Sequence, residues 1–544
     1  MSGLDLSDIA DPPHIRSGIV DDDLSIADRG RQLHLDLVVD DLGYTDLGSF
    51  GGEIATPNLD ALALHGQRLT NFHTAPSCAP TRAMLLTGTD NHLAGIGSQS
   101  GLETPKQAKS AAYKNAISRD VPTIAERIGA LGYRAVISAK WHLGKTADYL
   151  PNARGFTRSF VLLEGGGGHF DDTPLFESYG TSTWLEDDQP VTLPEDFYST
   201  DNMTDRILEY INETPRGQPY FAYLGYTAPH WPLQAPTASL EKYKGKYAEG
   251  WDALRARRMQ SVREAELVAP EHQAVDFEAN MVSWDSLPAA QQKAQAARMS
   301  AYAAMVDRLD ENIGRLLQEL AKRGDLDNTV IFFMSDNGAE AHLMEEYSSN
   351  STWVPLNFDN SAENIGARSS YTALGPGWAR ATAAPFRASK SKLSEGGIRV
   401  PAFVSLPDRF SGSSRRIDHS YMRVMDLAPT FLELAKSGNQ EETQMMGRSL
   451  LTRWLGGASP YSDNEIIAAE TFDRKMAQKG DLKALLLHPP YGTSEWQLYN
   501  LADDPGEQND LSADYPQVRA ELIEGYNAYA KKVGVIEPET PIKY

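Results

Sequence analysis

The stretch Leu33-His34-Leu35-Asp36-Leu37-Val38-Val39-Asp40-Asp41 is a leucine- and valine-rich run, short enough for a buried strand, that ends at once in two carboxylates. Three later runs have the same form. Residues 133–138 lead into Lys140, Trp141 and His142; residues 220–226 lead into Thr227, Ala228, Pro229 and His230; residues 330–334 lead into Ser335, Asp336, Asn337 and Gly338. Helical patterns separate them. Thr56 before Pro57 is an N-cap with proline at the first helical position, opening a helix through Leu59, Leu62 and Ala63. Pro122 opens another through Ile124 and Ile128 to Gly132, and Met305, Leu309, Ile313, Leu316, Leu317 and Leu320 recur at helical spacing before Gly324. Strands alternating with helices predict α/β units on a largely parallel sheet. Ligands of such sheets bind at the carboxyl ends of the strands, so the four polar strand ends can converge on one site.

At 544 residues the chain is too long for one ordinary core, and a large domain followed by a smaller one is expected. The boundary is placed at residue 445, giving 1–445 and 446–544, with strands at 465–469, 482–487 and 496–501 in the second part. Hydrophobic content of 41% and charged content of 23% are globular values. Net charge is −23, from 51 Lys+Arg against 74 Asp+Glu, which argues against nucleic acid and anionic membrane surfaces as partners. The same charge repels an anionic substrate, so any site for one must build a local cationic pocket. The N-terminus has no basic stretch followed by an apolar core, and the single cysteine forms no internal disulfide; a cytoplasmic protein is expected.

Asp40, Asp41, Asp336 and Asn337 supply only hard oxygen donors, which implies calcium or magnesium. The lone cysteine sits in Ser77-Cys78-Ala79-Pro80-Thr81-Arg82-Ala83-Met84-Leu85-Leu86-Thr87-Gly88, where Pro80 is pre-set for the first turn of a helix that Gly88 ends. Cys78 then lies at a helix N-terminus, a place that favours anions.

Cys-x-Pro-x-Arg followed by Leu-Thr-Gly resembles the signature of type I sulfatases, and the run Gly88-Thr89-Asp90-Asn91-His92 with the glycines of 165–168 before His169 is most similar to bacterial arylsulfatases. The resemblance extends from Leu33 through Met425-Asp426-Leu427-Ala428-Pro429-Thr430 to the tail Trp496-Gln497-Leu498-Tyr499-Asn500-Leu501. It implies an alkaline-phosphatase-like fold: a large mixed, mostly parallel sheet sandwiched by helices, plus a small C-terminal α+β domain with an antiparallel sheet. It also implies that a maturation enzyme oxidises Cys78 to formylglycine (3-oxoalanine), and that Asp40, Asp41, Cys78, Asp336 and Asn337 hold the metal, calcium with magnesium or manganese as alternatives. Arg82 would then bond an oxygen on modified Cys78, while Lys140 and His142 in KWHLG, His230 in APHWP, and Lys390 bind sulfate and move protons. Lys392 is the neighbour that Lys390 could be confused with.

The implied reaction is hydrolysis of a sulfate monoester, an aryl sulfate foremost. The gem-diol of residue 78 attacks sulfur with Asp336 as proton acceptor, His230 or Lys390 protonates the departing alcohol, and His142 takes the proton that re-forms the aldehyde. A phosphonate or phosphate ester hydrolase of the same superfamily is the alternative enzyme, and a catalytically silent metal-binding relative the alternative without turnover. The long polar stretches 235–297 and 340–385, with Trp251, Trp284, Trp353 and Trp378, either shape a leaving-group pocket or elaborate the surface.

Overall fold

The computed structural model describes residues 33–269, 272, 281–347, 349–408, 410, 417–435, 445–539 and 542. The four expected strands are Leu33–Val39, Arg134–Lys140, Tyr220–Gly225 and Thr329–Ser335, within two residues of their expected limits. They lie parallel, in the spatial order Thr329–Ser335, Leu33–Val39, Tyr220–Gly225, Arg134–Lys140, with Arg158–Leu162 as a fifth parallel strand. Antiparallel strands extend both sides, Ala402–Ser405 on one and Trp184–Glu186 on the other, within a ten-stranded mixed sheet.

Side chains along a strand alternate between faces. Leu33, Leu35, Leu37 and Val39 therefore enter one apolar core with the helices Ser199–Glu213 and Ala289–Arg323. Val38 enters a second core beneath the helices Cys78–Thr87, Ile124–Gly129 and Leu427–Ala435. Helices thus cover both faces, and the carboxyl ends of the parallel strands open at one edge.

Three local expectations change. The helix expected from Pro122 starts at Ile124, because Thr123 is its cap: the Thr123 hydroxyl accepts from the Glu126 N–H and the Glu126 carboxylate accepts from the Thr123 N–H. The helix read from Met305 begins at Ala289, its first turns being alanine and glutamine with no apolar stripe to reveal them. The stretch 235–297 contributes helices, Thr237–Tyr243 and Gly250–Glu264 among them, and Trp251, Trp284 and Trp378 meet edge to face in the first core with centroids 4.9–5.6 Å apart. These three tryptophans are packing residues, neither pocket wall nor surface.

The C-terminal part forms a four-stranded antiparallel sheet, Ile466–Thr471, Arg474–Lys479, Leu482–Leu486 and Gln497–Asn500, with the helix Pro516–Val533 on one face. Arg474–Lys479 escaped notice because Arg-Lys-Met-Ala-Gln-Lys is dominated by charge. The opposite face, through Met476, Leu485 and Tyr499, packs on Leu393 and Ile398. The N-terminal stretch before Leu33 and the segment 436–444, next to the expected boundary, lie outside the described residues. Among the described residues, no helix is long and apolar enough to cross a membrane.

Candidate active site

Backbone hydrogen bonds tie the strand ends together. Asp40 N–H donates to the Ala228 carbonyl (3.0 Å), Asp336 N–H to the Val39 carbonyl (2.9 Å), and Leu42 N–H to Ser335 Oγ (2.9 Å). Asp41 takes a left-handed conformation, φ 67°, that a non-glycine residue holds only when its surroundings enforce it. Here they do: Asp46 Oδ2 accepts from the Gly43 N–H (2.7 Å) and from the Tyr302 hydroxyl (2.6 Å), and Arg258 pairs with the other Asp46 oxygen (2.5 Å).

The result is a buried acidic centre. Ligand atoms of Asp40, Asp41, Cys78 and His230 lie within 4.8 Å of one another. Asn337 Nδ2 donates to Asp41 Oδ1 (2.6 Å), while Asn337 Oδ1 is buried with no hydrogen-bond partner among the described residues. Asp336 lies in the same shell, its Oδ1 3.3 Å from the Asp41 amide. Burial, only partly offset by Lys390 and reinforced by Asp40, Glu340 and Asp336, pushes Asp41 up to about 7; burial together with Asp40 raises Asp336 as well. Crowded carboxylates and an orphaned amide oxygen are the donor set of a hard cation, so these residues fit a calcium-type ion.

Cations ring this centre. Lys140 Nζ lies 2.6 Å from Asp40 Oδ2, and Lys390 Nζ lies 2.8 Å from Asp41 and 3.3 Å from Glu340. Lys392 instead bonds Ser391 Oγ and lies over the Tyr491 ring (4.4 Å), so Lys390 is the lysine that reaches the carboxylates. Arg82 sends Nε and Nη2 to Asp336 Oδ2 (3.0 and 2.8 Å) and Nη1 to the Lys140 carbonyl (2.8 Å). Its guanidinium thus ties the Asp336 carboxylate to the end of the Arg134–Lys140 strand. These three fixed positive charges only offset the carboxylates; a divalent ion held there would make the centre locally positive inside a protein of net charge −23.

Cys78 begins the helix Cys78–Thr87, and Gly88 ends it in the left-handed conformation, φ 67°. Its Sγ donates to Asp40 Oδ1 (3.4 Å). Burial, then Asp336 and Asp40, push the thiol well above its usual range.

Both expected imidazoles are present, His230 buried and His142 half-buried. His142 follows the Arg134–Lys140 strand with φ 57°; burial, Lys140 and Arg82 hold it neutral, and its Nδ1 has no hydrogen-bond partner among the described residues. His230 Nδ1–H donates to the Trp231 carbonyl (2.6 Å), leaving Nε2 3.7 Å from Asp41 Oδ2, and burial with Lys390 and Lys140 keeps this ring neutral too. The glycine run explains itself here. A Cβ on Gly165 would lie 2.6 Å from His142 Cε1, and one on Gly166 3.0 Å from His230 Cε1, so only bare backbone can close on both rings.

The remaining histidines divide. His169 sits behind His230, its Nε2 3.0 Å from the His230 carbonyl and its Nδ1 2.8 Å from Ser199 Oγ. His342 pairs with Glu340 (2.6 Å). His92 bridges Asp90 and Glu470 of the small sheet, and these carboxylates outweigh burial to push it up to about 9. Glu340, beside Lys390, was missed; its one sequence signal is its place three residues after Asn337. Also missed was a stack of rings running from His230 to Trp231 (5.3 Å, 24°) and on to Tyr347 (5.9 Å, 28°), with Phe176 edge-on to both outer rings.

Comparison with known proteins gives one answer. A sulfatase family model matches residues 35–437. The chain is 39% identical to an uncharacterized sulfatase of Schizosaccharomyces pombe over 523 residues, covering 92% of this chain and 93% of that one. It is 36% identical to an arylsulfatase of Klebsiella aerogenes over 405 residues, 73% of this chain and 85% of that one. The crystal structure of Ps i-CgsB superposes with a TM-score of 0.65 at 22% identity, covering 92% and 93% of the two chains, a likeness of fold. With the family match spanning most of its length and two relatives above the level at which families diverge, the chain belongs to the sulfatase family.

Proposed function

We propose that the protein hydrolyses sulfate monoesters, aryl sulfates foremost, with formylglycine at position 78. The observation that carries this reading is the convergence of Cys78, three buried aspartates and three buried cations on one centre at the strand ends. Asp40, Asp41, Asp336 and Asn337 would hold a divalent cation, calcium in this reading, which supplies positive charge and acidifies hydroxyls that it touches. The hydrated aldehyde would supply a nucleophilic hydroxyl with a second one beside it. An unmodified thiol suits the task less, since burial and two carboxylates keep Cys78 protonated.

The remaining steps belong to the chain. Lys140 and Lys390 orient and neutralise the sulfate oxygens at the N-terminus of the Cys78–Thr87 helix, and Arg82 bonds an oxygen on modified residue 78. His230 has its Nδ1 hydrogen committed to the Trp231 carbonyl, so Nε2 of the neutral ring is an acceptor, and Lys390 Nζ is the better donor to the departing alcohol. His142, neutral and pressed by Gly165, takes up a proton at its imidazole nitrogen. The rings of Trp231, Tyr347 and Phe176, leading outward from His230, favour a flat leaving group.

Mass spectrometry of the tryptic peptide 69–82 tests the modification, and turnover of an aryl sulfate beside a phosphonate monoester tests the substrate class. Active protein with an intact thiol would remove the aldehyde, and preference for the phosphonate would replace the sulfate.

A further inference from the structure

The segment that carries Lys390 is closed on itself, Gly396 N–H donating to the Arg387 carbonyl (3.0 Å), and it includes two non-glycine residues in the left-handed region, Ala388 (φ 57°) and Ser391 (φ 68°). Such a loop keeps its shape only if its ends are held. The holding groups come from the C-terminal part of the chain. Lys483 Nζ lies 2.7 Å from Glu395 Oε1 and 2.8 Å from Glu507 Oε1, and all three side chains are fully buried. Glu507 also accepts from the Glu395 N–H at Oε2 (3.3 Å) and, through its carbonyl, from Arg387 Nη1 (2.8 Å). Both ends of the loop therefore end on Glu507, and the carboxylate at its downstream end is neutralised by Lys483.

The same group reaches the nucleophile's loop. Glu395 Oε2 lies 3.1 Å from His73 Nε2, five residues before Cys78, and Ser391 N–H donates to the Pro76 carbonyl (2.6 Å). Between these anchors, Leu393 packs on Met476, Leu485, Leu487 and Tyr499 of the small sheet. Lys390 itself is left to extend toward Asp41 and Glu340.

We propose that Lys483 and Glu507 are positioning residues that act through Glu395 and Arg387 to aim Lys390 at the metal-site carboxylates, so that the small C-terminal sheet is a working part of the active site. Arg399 pairs with Glu395 (3.6 Å) and Arg387 with Glu507 (3.7 Å), but Lys483 sits between the two buried carboxylates at hydrogen-bond distance from both: without its charge they repel more strongly, and the loop that they hold loosens. The inference rests on the proposed role of Lys390 in sulfate hydrolysis.

A double-mutant cycle tests it, with kcat and KM for an aryl sulfate measured per folded molecule in wild type, Lys483→Met, Lys390→Ala and the double variant. If Lys483 acts through Lys390, Lys483→Met lowers kcat/KM about tenfold or more, while the double variant stays within about twofold of Lys390→Ala, because a lysine already removed cannot be mis-aimed. Lys483→Arg should recover turnover to within about threefold, and Glu507→Gln, which keeps an acceptor and folds more readily, should fall in the same direction by about threefold. Losses that multiply in the double variant, or a Lys483→Met or Glu507→Gln protein with wild-type turnover, would overturn the inference. If Lys390→Ala alone keeps full turnover, the assignment of Lys390 is what fails and the inference falls with it; a wild-type protein without sulfatase turnover removes the function first.

Discussion

Asp36 lies inside the strand Leu33–Val39 and Asp40 directly after its end, equally buried, yet they carry different charge states. Burial disfavours the ionised form of both. At Asp40, Lys140, Arg82 and Lys390 overcome that cost and hold the carboxylate well below the usual range. At Asp36, among the described residues, no cation answers and neither oxygen has a hydrogen-bond partner, and burial pushes it up to about 8. His34, on the same face as Asp36 and between the rings of Tyr133 and Phe431 (5.5 Å each), is likewise without a hydrogen-bond partner among the described residues, and burial takes it down to about 3. Depth in the sheet sets the cost of a charge, and only neighbours decide whether it is borne; the strand end is built for ionised groups and its middle is not.

The strongest way to break this contrast is at the strand-end site itself. Cys78→Ala should reduce aryl sulfate turnover by about 10⁴-fold or more while leaving the circular dichroism spectrum unchanged; substantial residual activity would identify another nucleophile. Removing divalent ions with a chelator should cost about 10³-fold in turnover and lower Tm, both restored by calcium, because Asp41 and Asp336 lose their counter-charge. Lys390→Ala should cost about 100-fold and Lys392→Ala less than about threefold, since only the first lysine reaches Asp41; equal losses would erase that distinction.

The smallest effect on turnover belongs to the strand's middle. Asp36→Val should leave kcat unchanged and raise Tm by a few degrees, on the order of 3–4 kcal/mol at pH 7. The unfolded chain ionises this carboxyl above 3.8, whereas the folded protein keeps its proton up to about 8. Its contribution to stability is therefore full below pH 3.8 and is lost as pH rises toward 8, and the substitution should flatten the Tm profile over that window. His34 works in the opposite direction. Its folded-state value of about 3 against 6.5 means stability present above pH 6.5 and lost as pH falls toward 3, a loss that His34→Leu should remove. Unaltered profiles in either variant would show that these groups have partners after all.

Much of the site was legible before the fold was known. Runs that end in Asp40-Asp41, Lys140-Trp141-His142, His230 and Asp336-Asn337 are strand ends by composition, and the rule that open α/β sheets bind ligands at such ends brings them together. Glu340, Trp231 and the Glu395–Lys483–Glu507 group were hidden for a different reason. The contacts that give them a role, Glu340 with Lys390, Trp231 with Tyr347 and Lys483 with Glu395, span tens of residues or more, so no local spacing marks them, and Lys483 stands in a strand whose neighbour, Arg474–Lys479, reads as surface.

Sequence by itself determined the kind of chemistry, because residue types and their nearest neighbours along the chain settle what a group can donate, accept or ligate: oxygen donors for a hard ion, a lone cysteine before a helix, lysines and histidines at strand ends. Tertiary structure alone decided which of those groups are charged and where they point. That choice depends on burial and on partners tens to hundreds of residues away, as with Lys390 on Asp41 while Lys392 lies over Tyr491, and Asp40 ionised while Asp36 keeps its proton.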